Sequence, residues 1–153
     1  MTQRIGIGYD SHPFAPDRRL VLGGVEIEHE AGLAGHSDAD VLAHAVTDAI
    51  LGAAGLGDIG SHFPPSDERW HDASSIELLR TAVAMVRGRL VNADATVVCE
   101  RPRLGEHRPE MERILAEAAG GVVSVKATTN EGMGWVGRGE GIACIAVALV
   151  DVE

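Results

Sequence analysis

The segment SDADVLAHAVTDAILGAAG, residues 37–55, carries the strongest helical pattern in the chain. Its apolar side chains recur at the spacing of one helix face, at Val41, Leu42, Ala45, Val46, Ala49, Ile50 and Ala53. Ser37 or Asp38 is placed to cap the N-terminus, and Gly55 stands near the C-terminal end. We therefore predict a helix with one buried face, against which the rest of the chain packs.

Strand and helix patterns continue on both sides of this helix. Upstream, residues 4–9 indicate one strand, and LVLGGVEIE (20–28) indicates two short strands folded at Gly23-Gly24. Downstream, the patterns predict helices at 74–88 and 108–119 and strands at 94–99, 122–129 and 141–150. The last two strands are expected to pair with each other. This order predicts an α+β fold, a two-layer sandwich of a mixed β-sheet with helices on one face.

The segment LGAAGLGDIGSHFPPSDERW (51–70) interrupts this order. Glycines and prolines punctuate it before it becomes polar, which is the composition of a mobile loop. The chain shows no internal repeat and no linker, and its 153 residues suit one domain over residues 1–153.

The charge balance limits the possible ligands. A formal net charge of −10 argues against a broad nucleic-acid-binding face, because such faces need clustered Lys and Arg. A phosphorylated ligand would need metal ions or a few placed arginines.

The cysteines and the N-terminus indicate a cellular setting. Cys99 and Cys144 are too few for a disulfide framework and are expected to be reduced core thiols. The start of the chain lacks a basic and then apolar leader, and no run is long enough to span a bilayer. We expect a soluble, cytoplasmic protein.

A first candidate site lies at the end of the first predicted strand, in GYDSHPF. Asp10 and His12 are two positions apart, so in a strand they project together. An Asp-x-His pair alone is more often a surface turn or ordinary hydrogen bonding than a metal site. His44 adds a third ligand, and a carboxylate could orient its other ring nitrogen. Two histidines and one carboxylate suit Zn²⁺ with one position left open.

A second cluster is HSDAD, residues 36–40, at the start of the predicted helix. The N–H groups and dipole of a helix N-terminus attract anions, so His36 and Ser37 could hold a phosphate oxygen there. The alternative is that Ser37 and Asp38 only cap the helix.

Two further segments carry polar groups. The glycine-rich connection TTNEGMGWVGRGEG (128–141) could handle phosphate through Thr hydroxyls, Arg138 and a cation on Glu131, or could be an elaborate turn. The segment RPRLGEH (101–107) places arginines after a strand, as a solvated turn or as a phosphate or nucleotide contact.

Taken together, GYDSHPF, AGHSDADVLAHAVTDAILGAAGLGDIG, SVKATTNEGMGWVGRGEG and IACIAVALV resemble the motifs of the 2-C-methyl-D-erythritol 2,4-cyclodiphosphate synthase family. The similarity runs from about residue 4 to residue 150. The resemblance implies conversion of 4-diphosphocytidyl-2-C-methyl-D-erythritol 2-phosphate to the cyclic diphosphate and CMP, in non-mevalonate isoprenoid synthesis. The 2-phosphate of the substrate itself attacks the β-phosphorus.

The resemblance also implies which residues carry this reaction. Zn²⁺ would be held by Asp10, His12 and His44, and Mg²⁺ or Mn²⁺ by Glu131, with Asp48 as outer support. His36 and Thr129 would steady the transition state. The expected substrate contacts are Ser37, Asp58, Ile59, Gly60, Phe63, Pro64, Pro65, Ser66, Asp67, Thr128, Asn130, Trp135 and Arg138. The expected cytosine contacts are Cys99, Glu100, Arg101, Pro102, Arg103, Leu104 and Gly105.

The resemblance finally implies a homotrimer with active sites between subunits, completed by residues 99–105 and 128–131 of a neighbour. A central cavity near Trp135, Arg138 and Glu140 would be able to hold an isoprenoid diphosphate. The chain departs from the usual family pattern at Ala39, Asn130 and Trp135, and the larger ring of Trp135 bears on the size of that cavity. Two competing hypotheses are a zinc phosphodiester hydrolase and a non-catalytic trimeric module that binds an isoprenoid diphosphate.

Overall fold

The computed structural model describes residues 1–153. In chain order its elements are β1 (Thr2–Ala15), β2 (Leu20–Leu22), β3 (Val25–Ile27), β4 (Gly32–Leu33), α1 (Val41–Ala53), α2 (Ile59–His62), α3 (Ser75–Ala84), β5 (Gly88–Val98), α4 (Arg108–Ala119), β6 (Val122–Thr128), α5 (Gly134–Gly137) and β7 (Gly141–Val152). None of these helices is both long and apolar enough to cross a membrane.

The sheet has five strands in the order β4-β1-β7-β5-β6, and β2 and β3 form a separate hairpin. β5 and β6 are parallel, whereas β7 runs antiparallel to both of its neighbours. The predicted mixed sheet is therefore confirmed. The predicted pairing of the last two strands is wrong, because β5 lies between them. β6 follows β5 through the crossover helix α4, and such a connection places consecutive strands side by side and parallel.

Helix α1 lies unusually close to β1, because two glycines of that strand face it. A Cβ atom on Gly6 would sit 2.0 Å from the Ala49 carbonyl oxygen, and one on Gly8 would sit 2.0 Å from that of Ala45. No side chain fits at either position. The helix backbone therefore rests on the strand backbone, and this contact sets how far His44 is from the end of β1.

The two faces of the sheet differ sharply. Alternate residues of β5 and β7, mostly Ala and Val, are buried on the face that α1 covers. Helix α4 covers β6 on that face, and α3 packs against α1 and α4. On the opposite face, Ile5 and Ile7 are 75% and 71% exposed. The register places Ile7 beside Val147 and Tyr9 beside Ile145, so these side chains form one apolar patch. In the isolated chain, helices cover only one side of the sheet.

The start of α1 differs from the prediction. Asp40, and neither Ser37 nor Asp38, is the cap, since its carboxylate accepts a hydrogen bond from the Ala43 N–H. Ala39 has φ of 57°, which breaks the helical path just before Asp40. His36 and Ser37 therefore precede the helix by a turn and do not sit at its N-terminus.

Other boundaries follow the sequence to different degrees. The helix predicted at 108–119 is confirmed, and Gly120 ends it in the left-handed conformation with φ of 73°. Helix α3 is capped by Ser74 and is shorter than predicted, while β5 begins at Gly88 instead of residue 94. The segment 51–70 is not a structureless loop. It contains the end of α1, helix α2 and a helical turn at Glu68–Trp70.

Candidate metal centre

Asp10 and His12 of β1 meet His44 of α1 at the helix-covered face of the sheet. Asp10 Oδ2 lies 2.8 Å from His12 Nε2 and 3.0 Å from His44 Nδ1, and the two ring nitrogens are 3.3 Å apart. Tetrahedral ligands at about 2.0 Å from an ion are roughly 3.3 Å apart, so the three atoms can converge on one ion with a fourth position open. Spacing alone could not establish this convergence; the structure shows it, and the three side chains form a cluster that could hold a metal ion.

The electrostatics of the metal-free site hold Asp10 in its ionised form. Burial acts to raise the pKa of Asp10, but hydrogen bonds and charge from His12 and His44 outweigh it and lower that pKa to about 2. Burial acts to lower the pKa of His44, and the Asp10 carboxylate raises it above its usual value. Asp10 is thus ionised throughout the physiological range.

Asp40, the cap of α1, lies one helical turn before His44 and does not face the metal ligands. Its carboxylate is fully buried and accepts hydrogen bonds from the N–H groups of Gly23 (2.9 Å), Gly24 (2.8 Å) and Ala43 (3.0 Å). Burial raises the pKa of Asp40 to about 6. Asp40 therefore ties the β2–β3 turn to the start of the helix that carries His44.

The metal ligands open onto a cavity. Its other walls include six residues that were predicted as catalytic residues or substrate contacts: His36, Ser37, Ile59, Gly60, Phe63 and Pro65. Pro64, Ser66 and Asp67 lie outside this lining, and the Asp67 carboxylate pairs with Arg69. Asp58 caps α2 through the Ser61 N–H and hydroxyl.

Sequence reasoning missed two residues of this cavity, Trp70 and Leu78. Trp70 packs edge-to-face on Phe63 with ring centroids 5.0 Å apart, and its buried Nε1–H has no hydrogen-bond partner. The signal that could have found Trp70 is a large aromatic residue at the end of a polar segment. A buried indole N–H normally finds an acceptor, and that of Trp70 has none within the chain.

The second nitrogen of His44 does not meet the carboxylate of Asp48. Asp48 instead accepts a hydrogen bond from the Ile59 N–H at 2.7 Å, so it fixes the cavity wall. His44 Nε2 lies 2.7 Å from Ser75 Oγ and 3.2 Å from Ser37 Oγ. Ser75 is a further residue that the sequence did not indicate, because it lies 31 positions from His44.

The remaining predicted residues gather elsewhere. Residues 99–105, Thr128 and Thr129 line two adjoining depressions, and neither depression shares a residue with the metal cavity. Glu100 accepts hydrogen bonds from the N–H groups of Asn130 (2.7 Å) and Gly132 (3.1 Å), which fixes the connection that carries Glu131. Within one chain, the metal ligands and the expected nucleotide contacts thus line separate cavities.

Two other groups singled out in the sequence, the Trp135–Arg138 region and the pair of cysteines, do not line the metal cavity. Arg138 pairs with Glu140 at 2.7 Å, and Trp135 is 36% exposed beside it. Cys99 and Cys144 are free and buried, as predicted. Burial raises the pKa of the Cys99 thiol to about 11, so it is protonated at neutral pH.

Comparison with known proteins decides the family. The model of the YgbB family matches residues 3–151. The chain belongs to the YgbB family. A relative from Rubrobacter xylanophilus named 2-C-methyl-D-erythritol 2,4-cyclodiphosphate synthase is 59% identical over 156 residues, which cover 97% of this chain and 94% of the relative.

Solved structures are similar to this YgbB-family chain over almost its whole length. The bifunctional IspDF from Campylobacter jejuni gives a TM-score of 0.94 at 42% identity over 99% of this chain, which spans 43% of that larger protein. IspF from Plasmodium falciparum, in a CDP complex, gives a TM-score of 0.84 at 31% identity, covering 99% of this chain and 97% of the other. The comparisons confirm the resemblance and the α+β fold.

Proposed function

We propose that this chain forms 2-C-methyl-D-erythritol 2,4-cyclodiphosphate and CMP from 4-diphosphocytidyl-2-C-methyl-D-erythritol 2-phosphate. The observation that carries the proposal is the Asp10–His12–His44 cluster beside a cavity, in a chain 59% identical to a synthase of that name. The reaction is intramolecular: the 2-phosphate oxygen bonds to the β-phosphorus while the bond from that phosphorus to the CMP oxygen breaks. The chain is thus a phosphorus–oxygen lyase.

The donor set favours Zn²⁺ at this cluster. Two imidazole nitrogens and one carboxylate oxygen suit zinc, and three protein ligands leave a position for a substrate oxygen. When bound, zinc supplies Lewis-acid polarisation of a phosphate oxygen. Asp10, held ionised by its histidine neighbours, provides the negative charge that the ion requires.

The protein groups around the cluster would orient the substrate. Ile59, Gly60 and Phe63 form an enclosing wall suited to the methylerythritol portion, and Asp48 keeps that wall in place through the Ile59 N–H. His36 lies at the same cavity and can donate to a phosphoryl oxygen. Binding must offset the conformational freedom that the substrate loses when it folds back on itself, so positioning carries much of the rate.

The nucleotide and the second cation would be held by the other group of residues. The turn from Cys99 to Gly105 would take the cytosine, Glu131 would hold Mg²⁺ or Mn²⁺, and Thr129 would contact the developing charge. A CDP complex of the Plasmodium falciparum relative supports a cytidyl ligand. The Glu100 clamp on the N–H groups of residues 130 and 132 supports a fixed position for Glu131.

A homotrimer with active sites between subunits would bring the two groups together. The apolar patch of Ile5, Ile7, Tyr9, Ile145 and Val147 supports burial of the open sheet face in an assembly. An isoprenoid diphosphate near Trp135 and Arg138 belongs to the same proposal, although Arg138 is already paired with Glu140. The relatives are named as synthases, so a non-catalytic binding module has no support.

The test is incubation of zinc-loaded protein with the cytidyl substrate and Mg²⁺, followed by phosphorus NMR. We expect CMP and the cyclic diphosphate in equal amounts. His44→Ala should abolish both products while remaining folded by circular dichroism, whereas Thr81→Ala on the exposed face of α3 should remain active. Absence of CMP, or release of CMP with a linear diphosphate, contradicts cyclisation, and the linear product would indicate hydrolysis.

A further inference from the structure

Residues behind His44 form a hydrogen-bonded chain that leads away from the metal-binding face. His44 Nδ1 points at Asp10 and His12, at 3.0 Å and 3.3 Å. The opposite nitrogen, Nε2, lies 2.7 Å from Ser75 Oγ, and the Ser75 hydroxyl donates to Asp38 Oδ1. The order Asp38–Ser75–His44 therefore reaches the ring nitrogen opposite to the one that faces the metal position.

We propose that Ser75 and Asp38 are positioning residues of the metal centre, which hold His44 with its proton on Nε2 and its Nδ1 lone pair directed at the ion. This inference rests on the proposed metal function of His44. Ser75 and Asp38 touch neither the ion position nor the expected substrate, so their effect passes through the His44 ring.

The number of available protons determines which group donates and which accepts along the Asp38–Ser75–His44 hydrogen bonds. The Asp38 carboxylate is an acceptor only, and Ser75 has a single O–H. The Ser75–Asp38 hydrogen bond needs that proton between the two oxygens, because otherwise lone pairs would face each other. Ser75 Oγ can then act only as an acceptor toward His44 Nε2, which must carry the N–H. The remaining nitrogen, Nδ1, is left free to bind the ion.

Backbone hydrogen bonds around Asp38 and Ser75 hold these two side chains in position. Asp38 Oδ2 also accepts from the Ser75 N–H at 3.1 Å, and the Asp38 N–H donates to the Ala73 carbonyl at 3.1 Å. Ser75 is completely buried, so water does not compete for its hydroxyl. Two segments that lie 37 positions apart are thereby joined directly behind the metal ligand.

Ser37 lies beside this chain without replacing it. Its hydroxyl oxygen is 3.2 Å from His44 Nε2 and 3.4 Å from Ser75 Oγ, and it accepts from the Ala39 N–H at 3.3 Å. The shorter contact, from Ser75, is also the one backed by a carboxylate. Ser75 is therefore the residue whose loss should change the ring most.

The matched pair Ser75→Ala and Ser74→Ala separates positioning from general stability. Ser74 is the exposed neighbour that caps α3 by accepting from the Glu77 N–H, so Ser74→Ala weakens the same helix end without touching His44. Zinc affinity is measured by competition with a chromophoric chelator. We expect Ser75→Ala to lose about 10–100-fold in zinc affinity, and Ser74→Ala to bind zinc as the unaltered chain does.

Nitrogen-15 NMR of the His44 ring in the zinc-loaded, unaltered chain reports the tautomer directly and needs no variant to fold. We expect a protonated Nε2 and a metal-bound Nδ1. Equal zinc affinity of folded Ser75→Ala and the unaltered chain, or a ring bound through Nε2, overturns the proposal. Neither measurement depends on turnover, so a chain that binds zinc in this way but forms no cyclic product would contradict the proposed reaction and leave the positioning role standing.

Discussion

At the scale of the residue, Asp10 is the most informative side chain, because it contacts both histidines of the site. Asp10→Asn keeps the shape of the side chain but removes the charge that zinc requires. Since outer-shell partners alone are worth about 10–100-fold in metal affinity, loss of this ligand should cost at least about 100-fold. The fold should persist, because Asp10 lies at the cavity and not in the apolar core.

Asp17→Asn is the matched control for this prediction. Asp17 is exposed and adopts φ of 60°, a conformation that Asn tolerates well. Chelator competition should give unaltered zinc affinity for this variant. If Asp10→Asn binds zinc as tightly as Asp17→Asn does, then Asp10 is not a ligand.

The same residue predicts how the stability of the metal-free chain depends on pH. The folded pKa of Asp10 is lowered to about 2 from 3.8, so its contribution is present above about pH 4 and is lost as pH falls toward 2. The shift corresponds to about 2 kcal/mol at 1.36 kcal/mol per pKa unit. The folded pKa of His44 is raised, so its share is present below about pH 6.5 and is lost as pH rises through the folded value.

Urea unfolding of chelator-treated protein checks this sign. The difference in unfolding free energy between the unaltered chain and Asp10→Asn should be largest between about pH 4 and 6.5. Comparing the two chains cancels the opposite contribution of Asp40, whose raised pKa favours the folded state as pH falls. A difference that stays constant from pH 2 to 8 would contradict the ion-pair account.

At the scale of the element, the contact of α1 with β1 decides whether the metal site exists. In Gly8→Ala the new Cβ atom would meet the Ala45 carbonyl oxygen at 2.0 Å, so the helix must move away from the strand. Overpacking of this kind costs typically about 1–3 kcal/mol. Because His44 immediately precedes Ala45 on the same turn of α1, zinc affinity should fall together with stability.

Gly52→Ala, in the same helix, is the control. A Cβ atom there would lie 3.8 Å from its nearest neighbour, and replacing a helical glycine by alanine should stabilise the chain by up to about 1 kcal/mol. Thermal unfolding and chelator competition measure both variants. If Gly8→Ala proves as stable and as tight for zinc as Gly52→Ala, close approach of α1 is not what builds the site.

How much the sequence predicts follows from which interactions are local. Periodicity identified α1 and α4, and alternation placed Asp10 and His12 on one side of β1, because both signals depend on near neighbours. The cap of α1 was wrong, since the turn at Ala39 comes from tertiary contacts of Asp38 with Ser75. Long-range pairs such as His44 with Ser75 leave no periodic trace, so only the fold reveals them.

At the scale of the whole molecule, the chain presents features that an assembly would explain together. The apolar patch on the open sheet face is uncovered, and the metal cavity shares no lining residue with the depressions around residues 99–105. A monomer would leave the apolar side chains in water and the two halves of the expected site apart. If the proposed trimer forms, burial of the apolar patch and completion of the site should occur together, in the single step of assembly.

Ile7→Lys tests that step, because Ile7 lies in the middle of the patch and its side chain has room in the isolated chain. Burying an unpaired ammonium against a neighbouring copy is strongly unfavourable, so the variant should sediment as a monomer where the unaltered chain sediments as a trimer. Cyclisation should fall at least about 100-fold, since each site would lack its neighbour's residues. Zinc affinity should stay unaltered, because Asp10, His12 and His44 belong to one chain.

Ala84→Lys, at the exposed end of α3, should remain trimeric and active. A fully active monomeric Ile7→Lys, or a trimer that tolerates the lysine, would show that the open face is not the interface that completes the site.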